Sequence, residues 1–164
     1  MKTERTIYTL GTSTRSLEDF FSIVKAFGIK GIADVRSFPR SRKFPHFNRE
    51  KIEEESREQN LFYHWLGELL GGFRKGGYEH YKKETSYLEG LQKVKALAEQ
   101  ATFVLVCAER FPWKCHRLHI SRSLVERGWD VIHIIDMDRT WRPRREQGKE
   151  EKRWDVPIGP SVGP

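Results

Sequence analysis

Sulfur is scarce in this chain of 164 residues, which has only two cysteines and two methionines. Two cysteines cannot build the disulfide framework of a small secreted domain, and there is no C-x-x-C pair to start a structural zinc site. Long apolar runs are missing as well. No stretch approaches the ~20 apolar residues that cross a bilayer, and "MKTERTIYTL" lacks the basic-then-apolar pattern of a secretory leader. The expectation is a small soluble protein of the reducing cytoplasm with no membrane partner. Acid is the other shortage: 23 Asp and Glu face 30 Lys and Arg, a net charge of +7. A cationic excess favours a polyanion, because each Lys or Arg set against a phosphate releases a counterion. Nucleic acid, DNA in preference to RNA, is therefore the expected partner, and nothing in the sequence calls for an obligatory protein partner.

What is present alternates. "TIYTLGTS" reads as a strand ending at Gly11, and Ser16 with Asp19 can cap a helix bearing Leu17, Phe20, Phe21, Val24 and Phe27 on one face. Gly28 stops it. "KGIADVRSF" is a second strand, running into the basic loop "PRSRKFPHF", after which Asn48 can cap the helix "REKIEEESREQ". "LFYHWLG" reads as a third strand, followed by the glycine-rich excursion "ELLGGFRKGGYEHYKKE". Ser86 and Glu89 suggest a capping box for a helix with a buried stripe of Leu88, Leu91, Val94, Leu97 and Ala98. "TFVLVCA" is apolar enough for a strand covered on both faces, and Pro112 suits the first turn of a helix reaching Gly128. "WDVIHIID" is the last strand. The pattern predicts one α/β domain over residues 1–138, three layers around a doubly wound, mostly parallel sheet of about five strands. Residues 139–164 read as a basic, Pro- and Gly-rich tail with Trp141 and Trp154 as docking points.

Such sheets bind ligands beyond the carboxyl ends of their strands. Thr12 to Arg15, Asp34 to Ser37, Gly67, Cys107 to Arg110 and Asp136 to Arg139 stand at those ends. In "DVRSFPRSR", strand alternation puts Asp34 and Arg36 on one face, either as an ion pair or as an anion pocket in which Arg36 and Arg40 hold phosphate. Cys107, Cys115, His116 and His119 are ligand types for zinc, but adjacent Cys115 and His116 point about 100° apart on a helix, so no metal or other cofactor is expected. Cys115 in a first helical turn is a candidate thiol, whereas Cys107 reads as a small buried side chain. "CAERFPWK" lacks the glycines of a cysteine phosphate cradle. Asp34 and Glu109, at the ends of different strands, can flank a glycosidic bond as a carboxylate pair. Aromatics beside basic residues, among them Trp65, Phe111 and Trp113, offer stacking platforms for bases.

"YTLGTSTRSLEDF", "IADVRSFPRSR", "FYHWLGELLGG" and "LVCAERFPWKCHR" together resemble the prokaryotic family numbered 488 in the domain-of-unknown-function series. The resemblance runs from about Ile7 to Ile135. It implies a compact α/β domain with its signature residues at one end, and carries over Asp34, Arg36, Arg42, Gly71, Gly72, Glu109, Cys115, His116 and Arg117 as site residues. Thr12 departs from the family pattern, in which a histidine commonly stands there, so that histidine's role does not transfer. The expected function is a nucleic-acid-binding enzyme, a DNA-repair N-glycosylase for damaged or mismatched bases. In it Asp34 and Glu109 are catalytic, and Arg36, Arg40, Arg42, Arg117, His116, Gly71 and Gly72 hold substrate or phosphate. The alternatives are a non-catalytic nucleic-acid-binding module, and a small-molecule enzyme using Cys115 or bound phosphate.

Overall fold

The computed structural model describes residues 5–142. The β-branched and aromatic residues of the first segment form β1 (Thr6–Gly11), buried along its whole length. Ser16 then caps α1 (Leu17–Ala26), its hydroxyl accepting from the Asp19 N–H at 3.0 Å, and Gly28 ends the turn at φ +70°, a backbone that costs a residue without Cβ little. β2 (Gly31–Asp34) follows, then a 3-10 turn at Pro45–Phe47, α2 (Arg49–Glu58) and β3 (Phe62–Trp65). The glycine-rich excursion holds two single-turn helices, α3 (Gly67–Leu70) and α4 (Tyr78–Tyr81). Then come α5 (Thr85–Gln100), β4 (Phe103–Cys107), a 3-10 turn at Pro112–Lys114, α6 (Arg117–Glu126) and β5 (Asp130–Asp136). A short β6 (Arg139–Trp141) closes the described chain.

The strands form one sheet in the order β3-β2-β4-β1-β5-β6, parallel except for the antiparallel β5–β6 pair. Strand alternation sends neighbouring residues to opposite cores. Tyr8, Leu10, Ile32, Val104 and Ile132 pack with α1 and Ile52 of α2. Ile7, Ala33, Leu105 and Val131 pack with Leu91 and Val94 of α5 and Ile120 and Leu124 of α6. The three-layer, doubly wound architecture is as expected.

Local expectations need correcting in four places. The sheet has six strands, because Arg139–Trp141, read as the start of a tail, pairs with β5 through His133 and Ile134; Trp154 lies outside the described residues. α5 begins at Thr85, with Glu84 at the cap position two residues before the expected Ser86 and no side-chain cap. Its stripe is Tyr87, Leu91, Val94 and Ala98, leaving Leu88 at 45% exposure; Tyr87 turns inward because its hydroxyl meets Ser123 Oγ at 2.6 Å on α6. Asn48 stands at the cap of α2 but spends its Oδ1 on the Ser41 N–H at 2.7 Å, bracing the basic loop instead. The helix expected from Pro112 is broken, since Cys115 takes an extended backbone (φ −149°, ψ 169°) between the 3-10 turn and α6.

Candidate functional site

The carboxyl ends of β1, β2 and β4 open onto a cleft of about 1260 Å³. Its floor is built from three loops. Thr12, Ser13 and Thr14 follow β1; Arg36, Ser37 and Phe38 follow β2; and Cys107 to Phe111 follow β4. The glycine-rich excursion adds Gly72, Phe73, Arg74 and Tyr78 as a wall. A close backbone approach holds the β1 and β4 loops together. A Cβ on Gly11 would overlap the Glu109 carbonyl oxygen and stand 3.0 Å from Arg110 Cα, so only glycine lets the Glu109 loop sit where it does.

Asp34 and Arg36 share a strand face, as alternation requires, but they serve different ends. Asp34 is completely buried and accepts from the Arg36 backbone N–H (3.2 Å), Arg36 Nε (2.8 Å), Arg36 Nη2 (2.7 Å) and the Tyr63 hydroxyl (2.6 Å). All its acceptor directions are occupied and it does not line the cleft, so it is a positioning residue and not the catalytic carboxylate expected. Burial works against the Arg36 charge, but the hydrogen bonds and charge of Asp34 outweigh it and raise the guanidinium pKa. Burial first, and then Asp34, likewise raise the Tyr63 phenol. Arg36 Nη1 donates to the Phe47 carbonyl at 2.8 Å, which leaves the edge of its plane on the cleft.

Glu109 is exposed on the cleft floor, the one acidic side chain of the lining among the described residues. Its loop is held from beneath by Arg117, wholly buried, whose Nη2 donates to the carbonyls of Glu109 (3.1 Å) and Arg110 (2.8 Å). Arg117 thus shapes the floor and does not reach the cleft to hold phosphate. Arg110 lines the cleft and donates to Asp136 Oδ1 at 2.9 Å, an oxygen it shares with Arg15 at 3.1 Å. Although partial burial alone would raise the Asp136 carboxyl, hydrogen bonds from Arg110 and then Arg15 hold it below its ordinary range. Arg40 lines the cleft and pairs with Glu50 at 2.6 Å with both side chains exposed. Arg42 is exposed outside the cleft, because the loop turns it away. Gly71 lies under the wall, where a Cβ would stand 2.6 Å from the Gly67 carbonyl and 2.8 Å from Ser37 Cα; its task is packing. Gly72 does line the cleft, against His116.

Among the stacking candidates, Phe111 and Trp113 line the cleft and stack on each other, with centroids 5.3 Å apart and planes 17° apart. Trp65 does not. Its Nε1 donates to the Arg36 carbonyl at 2.9 Å and Arg49 covers its ring at 4.8 Å. Two further rings stand at the rim. Phe38 and Phe73 are 74% and 89% exposed, with centroids 5.9 Å apart, and Phe73 holds a left-handed backbone at φ +55°, which a bulky residue adopts only under strain. Arg74, beside it, ties the wall by donating to the carbonyls of Gly71 (2.8 Å) and Glu68 (2.8 Å) and lies 4.0 Å over the Tyr81 ring. Sequence reading passed over Phe38 and Arg74. The available signal was their position in glycine- and proline-marked loops next to residues already chosen.

The four residues weighed as zinc ligands divide. His116 sits 2.9 Å from the Val35 carbonyl through Nε2, and His119 Nδ1 lies 3.4 Å from Glu79. Burial, the leading cause, lowers the pKa of both histidines, so the His116 ring donates to the carbonyl as a neutral imidazole near neutral pH. Cys107 and Cys115 instead face each other, Sγ to Sγ at 2.9 Å, and both line the cleft. Cys115 Sγ accepts the Arg117 N–H at 3.3 Å. Burial raises the Cys107 thiol, but the hydrogen bond from Cys115 and the charge of Arg117 bring it down to about 7; desolvation, and then the hydrogen bond to Cys107, raise Cys115. Cys107 is the small buried side chain expected from the sequence, 1% exposed, with the Cys115 sulfur as a neighbour. Among the described residues no cluster of three or more His, Cys, Asp or Glu side chains could hold a metal ion, and no helix is long and apolar enough to cross a membrane.

No curated protein and no solved structure matched the chain. The family model described as "Domain of unknown function DUF488" matches residues 16–124, well over half of the chain, taking in the cleft loops after β2 and β4 but not Thr12 to Thr14 after β1, and the protein belongs to that family.

Proposed function

We propose that the cleft binds nucleic acid and that Glu109 hydrolyses an N-glycosidic bond of a base drawn into it. The observation that carries the reading is the lining: one exposed carboxylate, Glu109, set among Arg36, Arg40, Arg74, Arg110 and Lys114, with aromatic rings on both sides. Phosphates take the cations and bases stack on rings, Phe111 and Trp113 inside and Phe38 and Phe73 at the rim. Arg36, Arg40 and Arg110 are partly neutralised by Asp34, Glu50 and Asp136, while Arg74 and Lys114 have no ion pair among the described residues, so the phosphate attraction falls mainly on those two.

With Asp34 withdrawn, the carboxylate pair of an ordinary glycosidase is reduced to one member. One is enough where the leaving group is a nitrogenous base, because nearby cations stabilise the electron pair it takes. Glu109 then faces the positive charge that develops on the sugar and accepts the proton of the attacking water. The test combines anisotropy titration of labelled single- and double-stranded DNA over a salt series with incubation of duplexes carrying damaged or mismatched bases, strand breaks at abasic sites being revealed by alkali. Glu109→Gln is expected to bind as the wild type does and to lose turnover by about 10²–10⁴-fold. Wild-type protein that binds DNA yet leaves every duplex intact removes the hydrolytic half. Weak, salt-insensitive binding removes the nucleic-acid half.

A further inference from the structure

We propose that Cys107 and Cys115 are a redox-active dithiol that exchanges with small disulfides and closes, reversibly, into a disulfide in the cleft floor. The inference is independent of the nucleic-acid reading. It stands on three observations. The sulfurs lie 2.9 Å apart although the residues are eight positions apart in sequence, because the extended backbone at Cys115 interrupts the helix and returns its side chain to the end of β4. Both sulfurs border the cleft, Cys107 almost closed off and Cys115 partly open. Beneath them lies Arg117, completely buried, whose Nε and Nη1 have no hydrogen-bond partner among the described residues. A buried guanidinium without a carboxylate calls for a negative charge nearby, and a thiolate shared by the two cysteines supplies it.

The exchange balances as follows. The Cys115 sulfur attacks one sulfur of a small disulfide RSSR as its proton passes along the hydrogen bond to the Cys107 thiolate. A Cys115–SR bond forms, the RS–SR bond breaks and one RS⁻ leaves. That RS⁻ takes the proton from Cys107, whose thiolate then attacks the Cys115 sulfur and expels the second RS⁻. The cysteine pair loses two electrons and RSSR gains them. The new bond closes a loop carrying Glu109, Arg110, Phe111 and Trp113, so the redox state fixes or frees the segment that faces the cleft.

Reduced full-length protein is equilibrated with graded ratios of reduced to oxidised glutathione, trapped with iodoacetamide and mapped by mass spectrometry without reduction. The expected result is a Cys107–Cys115 linked peptide, two hydrogens lighter than the separate pieces, that disappears as reduced glutathione is restored. Cys107→Ser is expected to stop at a stable glutathione adduct on Cys115, and Cys115→Ser to lose the linked peptide and resist glutathione at the enclosed Cys107. Reduced wild-type protein is also expected to capture phenylarsine oxide one to one, with both thiols then blocked to alkylation, a measurement that needs neither variant to fold. The absence of the linkage at every ratio, or two thiols that take up glutathione independently, overturns the proposal.

Discussion

Replacing Asp34 by asparagine separates a positioning carboxylate from a chemical one. In the folded protein the Asp34 side chain accepts four hydrogen bonds, three from Arg36 and one from Tyr63. Asparagine keeps one acceptor oxygen and turns a pair of donor hydrogens toward Arg36. Tyr63 can rotate its hydroxyl to accept, but the guanidinium cannot accept anything. Arg36 keeps the Phe47 carbonyl at 2.8 Å and the remaining amide oxygen but has no counter-charge, at 8% exposure. Removing one partner of a buried ion pair costs about 3–5 kcal/mol. Divided by a urea slope of ~2 kcal/mol per molar, that lowers the unfolding midpoint by about 2 M. The assay is a urea titration followed by tryptophan fluorescence, with Glu109→Gln as the reference, since an exposed substitution of that kind stays within about 0.5 kcal/mol of wild type. Asp34→Asn protein that unfolds at the wild-type midpoint while losing turnover would refute the argument and return Asp34 to the chemistry.

Three further outcomes follow from the geometry. Phe73→Gly relieves the left-handed backbone, so stability by urea titration should be no lower than wild type; combined with Phe38→Ala it should weaken single-stranded DNA binding by ~1–3 kcal/mol per base that loses its ring, read by anisotropy. Gly11→Ala forces a Cβ onto the Glu109 carbonyl and should cost about 1–3 kcal/mol in urea titration while displacing the Glu109 loop, a loss that Gly128→Ala, remote from the cleft, does not mimic in the binding assay. His133 is wholly buried with Nδ1 2.7 Å from Thr9 Oγ1, and burial holds its pKa well below 6.5. A histidine depressed in the folded state binds its proton first in the unfolded chain, so stability should fall as pH drops through about 6.5, by up to ~1.4 kcal/mol per pH unit per group. His116 acts in the same direction. Urea midpoints at pH 7.5 and 5.5 measure the loss, and His133→Gln should flatten it.

The layers of this protein are legible in its apolar pattern. The apolar run "TFVLVC" marks a strand covered on both faces and the stripe of α1 marks its buried side, because such patterns show within a few residues. A site was expected at the strand ends, and Arg36, Arg40, Glu109, Phe111, Trp113, Gly72, His116 and Cys115, all named from the sequence, line one cleft there. What required the tertiary structure was every choice between a side chain that faces the ligand and one that supports it. Asp34 and Glu109 look alike in sequence, yet Tyr63 and Arg36 enclose the first while Gly11 lets the second reach the floor. Trp65, Arg42, Arg117 and Gly71 turned out to support or flank the cleft for the same reason, since strand order and loop closure bring partners from distant positions. The two cysteines make the point most sharply. The sequence shows no C-x-x-C pair and predicts a continuous helix from Pro112, whereas one extended residue, Cys115, brings the sulfurs to 2.9 Å.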